Sequence, residues 1–94
     1  MGRAVTYQPI PHPDEAVFRN LMAVKVGLDR IRAGRPHGYQ PVLHATDEAV
    51  NRNLFKLFEA LSRKAAGKPA SFAPVKHPTD EVFARNMDAI MGAL

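Results

Sequence analysis

Residues 34–66 read GRPHGYQPVLHATDEAVNRNLFKLFEALSRKAA. Their first thirteen positions hold Gly34, Pro36, Gly38 and Pro41. Proline fixes φ and lacks an N–H, so this part favours an extended path and disfavours a helix. From Asp47 onward the pattern changes. Val50, Leu54, Leu57 and Leu61 recur at a 4-3-4 spacing, which puts them on one face at 100° per residue. Phe58 is expected to widen that face, as is Met91 further along.

The same frame is written on both sides. Asp14-Glu15, Asp47-Glu48 and Asp80-Glu81 stand thirty-three residues apart, as do Arg19-Asn20, Arg52-Asn53 and Arg85-Asn86. The preceding stretches read Tyr7-Gln8-Pro9-Ile10-Pro11-His12, Tyr39-Gln40-Pro41-Val42-Leu43-His44 and Phe72-Ala73-Pro74-Val75-Lys76-His77. Gly2-Arg3, Gly34-Arg35 and Gly67-Lys68 lie five positions before each aromatic. The first copy is one residue shorter between its His and its Asp. Internal periodicity of this kind marks a repeat. The reading is three tandem units over residues 2–33, 34–66 and 67–94, the third truncated, together forming one small domain.

Each unit is expected to be an extended Pro-containing segment followed by an amphipathic helix, giving an all-α fold with helices near 14–33, 47–66 and 80–93. The outer stripes are Val17, Leu21, Val24, Leu28 and Ile31, and Phe83, Met87, Ile90 and Leu94. Acids open each helix, where the macrodipole favours them, with Pro or with Thr46 and Thr79 as start residues. Basic residues precede Gly34 and Gly67, which suit a left-handed C-terminal position. A twenty-residue helix is about 30 Å long, and thirteen extended residues reach about 43–47 Å. Each connector can therefore run back along its helix and start the next one parallel to it. The rival is an up-down-up bundle, whose connections need only about 2–8 residues.

Composition excludes several classes. There is no cysteine, hence no disulfide framework and no thiolate metal site. The start of the chain lacks the apolar run of a signal peptide, and no stretch approaches the ~20 apolar residues of a membrane span. A cytoplasmic location is the expectation. The net charge is +4 and the pI about 9.9, which suits an acidic partner. No Gly-rich phosphate loop or nucleophile elbow is present, and serine occurs only at Ser62 and Ser71. No enzymatic activity, and no cofactor, is expected.

The repeated polar and aromatic residues are the candidates for partner binding or for contacts between units. His12, His44 and His77 suit a structural role where a helix begins; a threefold metal site is the sharper alternative. Arg19, Arg52 and Arg85 form i,i+4 pairs with Glu15, Glu48 and Glu81, worth about 0.3–0.5 kcal/mol each. They point away from the apolar stripe, toward a neighbouring unit or a partner carboxylate. Asn20, Asn53 and Asn86 lie at the stripe's edge. An amide that both donates and accepts suits the pinning of an extended segment against a helix. Tyr7, Tyr39 and Phe72 cover the stripe, or form a row that anchors a partner.

The function expected is non-catalytic: a repeat protein that binds another macromolecule as accessory subunit, assembly factor or inhibitor. The partner expected is a protein. A homo-oligomer suits three equivalent units, because linked sites raise avidity. A basic nucleic-acid-binding protein is the alternative, given Arg30, Arg32, Arg35, Arg63, Lys64 and Lys68, although no nucleic-acid-binding signature accompanies them. A structural metal protein using the repeated histidines is the third reading.

Overall fold

The structure, a computed structural model, describes residues 6–94. The expected Gly2-Arg3 start of the first unit lies outside the described residues. Three helices follow in order, α1 (Glu15–Arg32), α2 (Glu48–Ala65) and α3 (Glu81–Ala93). Among the described residues there is no strand, and the fold is all-helical.

Neither proline nor threonine caps the helices. The N-caps are Asp14, Asp47 and Asp80, whose carboxylates accept from Ala16 and Val17 N–H, from Val50 N–H and from Phe83 N–H respectively. A carboxylate both accepts these hydrogen bonds and meets the positive helix end, an advantage over the Thr hydroxyl one residue earlier. At the far ends, Ala33 and Ala66 are C-caps, and Gly34 and Gly67 follow with φ of 76°. Arg35 and Lys68 N–H return to the Arg30 and Arg63 carbonyls. The left-handed turn that glycine permits thus ends both helices and sends the chain back.

The three helix starts meet. His12, next to α1, bonds Asp80 of α3; His44, next to α2, bonds Asp14 of α1; His77, next to α3, bonds Asp47 of α2. At the opposite end, Lys64 of α2 donates to the Leu94 carbonyl after α3, and Leu28, Ile31, Lys64 and Leu94 line one depression. With starts together and ends together, the helices run parallel.

The core is one cluster. Val17, Leu21, Val24 and Leu28 of α1 meet Val50, Leu54, Leu57 and Leu61 of α2 and Phe83, Met87 and Ile90 of α3. Tyr7, Tyr39 and Phe72 join it from the extended segments. Phe58 and Met91 do not. They are 42% and 46% exposed; beside Phe58 the returning segment, through His37, takes up the flank of the stripe. Gly27 shows how the returning segment packs: a Cβ there would stand in ordinary contact, 3.4 Å from Leu61 Cδ1 and 3.5 Å from the His37 backbone oxygen and Cβ.

Candidate functional site

The extended segments are fixed by three buried amides. Asn20 Oδ1 accepts from Val42 N–H at 2.9 Å and from the Tyr39 hydroxyl at 3.1 Å. Its Nδ2 donates to the Val42 carbonyl at 2.8 Å and to Ala16 O at 2.9 Å. Asn86 does the same for Ile10 and Tyr7, and also donates to Val82 O. Asn53 grips Val75 N–H and carbonyl and donates to Ala49 O; here Phe72 replaces tyrosine and brings no hydroxyl. Among the described residues no buried side-chain polar atom lacks a partner. A satisfied buried amide of this kind specifies one register.

Each segment docks on the helix before it, and the first docks on the last. Residues 39–44 lie on α1, 72–77 on α2 and 7–12 on α3, so the arrangement is cyclic. The histidines repeat the cycle. The Nδ1 atoms of His12, His44 and His77 accept backbone N–H groups at the start of their own helices. An accepting Nδ1 places the ring proton on Nε2 in the neutral imidazole. That Nε2 faces Asp80, Asp14 and Asp47 at 2.5, 2.7 and 2.8 Å. Each aspartate thus caps its own helix with one oxygen and holds a histidine with the other.

The electrostatics follow from those contacts. The His44 hydrogen bond, helped by Val17 N–H, holds the Asp14 carboxyl below its ordinary value. Burial pushes Asp47 and Asp80 up. The hydrogen bonds from His77 and Val50 N–H at Asp47, and from Phe83 N–H and His12 at Asp80, outweigh it and leave both lowered. Burial raises the Tyr7 and Tyr39 phenols, which keeps both hydroxyls as donors.

The twelve sequence-selected residues therefore divide. Tyr7, Tyr39, Phe72, Asn20, Asn53 and Asn86 are buried and face the protein itself. His12, His44 and His77 are spent on helix starts, and among the described residues no cluster of three or more His, Asp or Glu is arranged to hold a metal ion. Arg19, Arg52 and Arg85 are exposed, 3.1, 3.6 and 3.5 Å from Glu15, Glu48 and Glu81.

The surface feature that sequence reading missed lies between the second segment and α2. Val42, Leu43, Phe55 and Phe58 are 56%, 54%, 58% and 42% exposed. Asn51 of α2 bonds both backbone groups of His44, and His37 meets Ser62 and stacks edge-on against Phe58. Residues 37–44 thus run along α2 in the reverse direction, and Phe55 and Phe58, three positions apart, share one exposed face of that helix. Arg63 and Lys68 border its lower end, where a shallow depression of about 480 Å³ runs from Phe55 to Lys68. At positions matched in sequence, the third segment and α3 carry Val75, Lys76, Asp88 and Met91, and the first carry Ile10, Pro11, Met22 and Lys25. Only the middle set is apolar throughout without a proline, and only it presents two exposed phenyl rings. Aligning the three copies and comparing Phe55 with Met22 and Asp88 is the sequence signal that finds it.

Comparison with protein-family models, with curated proteins and with solved structures returned no match. Among the described residues no helix is long and apolar enough to cross a membrane.

Proposed function

We propose that the chain is a cytoplasmic three-unit repeat protein without catalytic activity. It binds an acidic protein on the face formed by Val42, Leu43, Phe55 and Phe58, as accessory subunit, assembly factor or inhibitor. The observation that carries this reading is the pair of phenyl rings held half out of the surface of α2, with Val42 and Leu43 exposed on the segment that runs along the same helix. An apolar patch with a polar rim marks a macromolecular contact, and aromatic anchors dominate such contacts. The same residues are dispensable for the fold, since the core closes without them.

Charge favours one occupant. Arg63 and Lys68 outnumber Glu59 at the rim, and the chain carries +4, so an acidic protein gains on approach and a second basic copy is repelled. The version with three equivalent sites has less support, because the matching positions around α1 and α3 carry Lys25, Lys76 and Asp88.

Nucleic acid is the second reading. It is favoured by the six cations, Arg30, Arg32, Arg35, Arg63, Lys64 and Lys68, at or just beyond the ends of two parallel helices. Tagged full-length protein and its Phe55→Ser/Phe58→Ser variant, used to capture partners from extract of the source cells with and without nuclease treatment, separate the readings. The expected outcome is an acidic protein held by the first and lost from the second. Equal capture by both refutes the face. Material that is nucleic acid and is released log-linearly with salt establishes the alternative.

A further inference from the structure

Residues 7–12 are joined to α1 but dock on α3. Their contacts reach Asp80 and Asn86, 68 to 79 positions further along the chain. The other two segments dock on the helix that directly precedes them, 19 to 30 positions away. The cycle is therefore closed by one non-covalent junction between the two ends of the described chain.

That junction has the composition of a peptide site. The receiving elements are the Asn86 amide, which takes one backbone N–H and one carbonyl, and the Asp80 carboxylate, which takes a histidine Nε2. The buried ring of Tyr7 completes the docking. Equivalent elements on α1 and α2 accept segments that differ between these anchors: Tyr-Gln-Pro-Ile-Pro-His, Tyr-Gln-Pro-Val-Leu-His and Phe-Ala-Pro-Val-Lys-His. Recognition thus reads an aromatic, a proline, the backbone of an aliphatic residue and a histidine, and leaves the second and fifth positions free. Extended docking through main-chain hydrogen bonds with side-chain anchors is a general mode of peptide recognition.

The hinge is the shortest of the three. His12 and Asp14 are separated by Pro13 alone, whereas Ala45-Thr46 and Pro78-Thr79 separate the later pairs. His44 and His77 each accept two backbone N–H groups at Nδ1, and His12 accepts only that of Asp14. A short hinge next to a non-covalent closure is the arrangement that favours exchange between copies.

We infer that the α3 groove around Asn86 and Asp80 is a peptide-binding site for extended aromatic-x-Pro-aliphatic-x-His segments. Residues 7–12 fill it in cis, and the same residues of a second copy fill it in trans, giving a segment-exchanged dimer. The docking contacts of the segment on α3 are kept in that dimer and only the hinge, with its His12–Asp14 bond, changes, so concentration sets the balance between them. The cis segment competes at an effective concentration in the mM range, so exchange emerges on refolding concentrated protein. Because each copy carries +4, salt raises the dimer fraction, opposite to an ionic association.

Complementary full-length variants test it. Asn86→Ala keeps the segment and breaks the groove; Tyr7→Ala/His12→Ala keeps the groove and breaks the segment. The two are refolded together and separately at ~1 mM and weighed by native mass spectrometry. The expected result is a 1:1 heterodimer in the mixture at about ten times the dimer level of either variant alone, a shift of about one decade in association. No heterodimer from two folded variants overturns the inference. Should either variant fail to fold, wild-type protein carries the test. Concentrated refolding is expected to yield a dimer that persists on dilution and reverts to monomer after dilute refolding. Monomer at every concentration, or a dimer that vanishes at once on dilution, overturns it.

Discussion

The side-chain amide of Asn86 holds both backbone polar groups of Ile10, accepting from its N–H at 2.8 Å and donating to its carbonyl at 3.1 Å, across 76 residues of chain. Asn20 and Val42, and Asn53 and Val75, repeat the relationship at shorter range. These three amides turn Pro-containing stretches into parts of the fold, and they are where its stability is most open to measurement.

Asn53→Ala is expected to cost about 2 kcal/mol, since it leaves the partly buried N–H and carbonyl of Val75 without their partners and an unmet buried group costs about 1–3 kcal/mol. Asn20→Ala is expected to cost about 1 kcal/mol more, because the Tyr39 hydroxyl is orphaned as well. Urea unfolding reads both. A loss below about 0.5 kcal/mol, the range of ordinary surface changes, contradicts the pinning role.

The hydroxyl alone can be moved. Tyr39→Phe removes the 3.1 Å bond to Asn20 and is expected to cost about 1 kcal/mol. Phe72→Tyr offers a hydroxyl to Asn53 Oδ1, which now accepts only Val75 N–H, and is expected to leave stability equal or higher by up to about 1 kcal/mol. Destabilisation by Phe72→Tyr shows that the ring site of the third segment lacks the room its counterparts have.

Acid is expected to unfold the protein through its caps. Asp14, Asp47 and Asp80 have native values below the ordinary 3.8. A group depressed in the native state contributes stability that is complete above its unfolded value and is lost as pH falls through the native one. The urea midpoint is therefore expected to fall from about pH 4 downward, and Asp47→Asn to flatten that limb. A midpoint constant across that span contradicts the His–Asp cycle.

Much of this was legible in the letters. The 4-3-4 stripes placed the helices within a residue or two, and Gly34 and Gly67 marked the turns. The caps were less legible: Asp, Thr and Pro all suit a helix start, and only coordinates showed that Asp47 caps while Thr46 donates its N–H to His44. The chemistry of Asn was readable from its type. Its helix-to-segment pairing was not, because a contact such as Asn86–Ile10 spans 76 residues and is set by how the helices and segments pack together, and no local pattern encodes that. Phe58 and Met91 were misplaced for the same reason. On a helical wheel they border the stripe, but beside Phe58 the returning segment has already occupied that flank.

Phe55→Ser is expected to change stability by less than about 0.5 kcal/mol, the ordinary range for surface positions, and Phe58→Ser to cost up to about 1.5 kcal/mol through the lost edge-on contact with His37, while together they abolish capture of the acidic partner. A loss of several kcal/mol on urea unfolding makes them core residues and removes the reason for assigning them a partner.

The ordered docking of all three extended segments is the premise beneath both the fold and the proposed function, and native-state amide hydrogen exchange at Ile10, Val42 and Val75 tests it most directly. All three N–H groups are expected to be protected by at least about a hundredfold, with Ile10 opening at the lowest free energy because its docking alone closes the cycle. Exchange of Val42 and Val75 at the unprotected rate, in a chain whose helices remain protected, contradicts it.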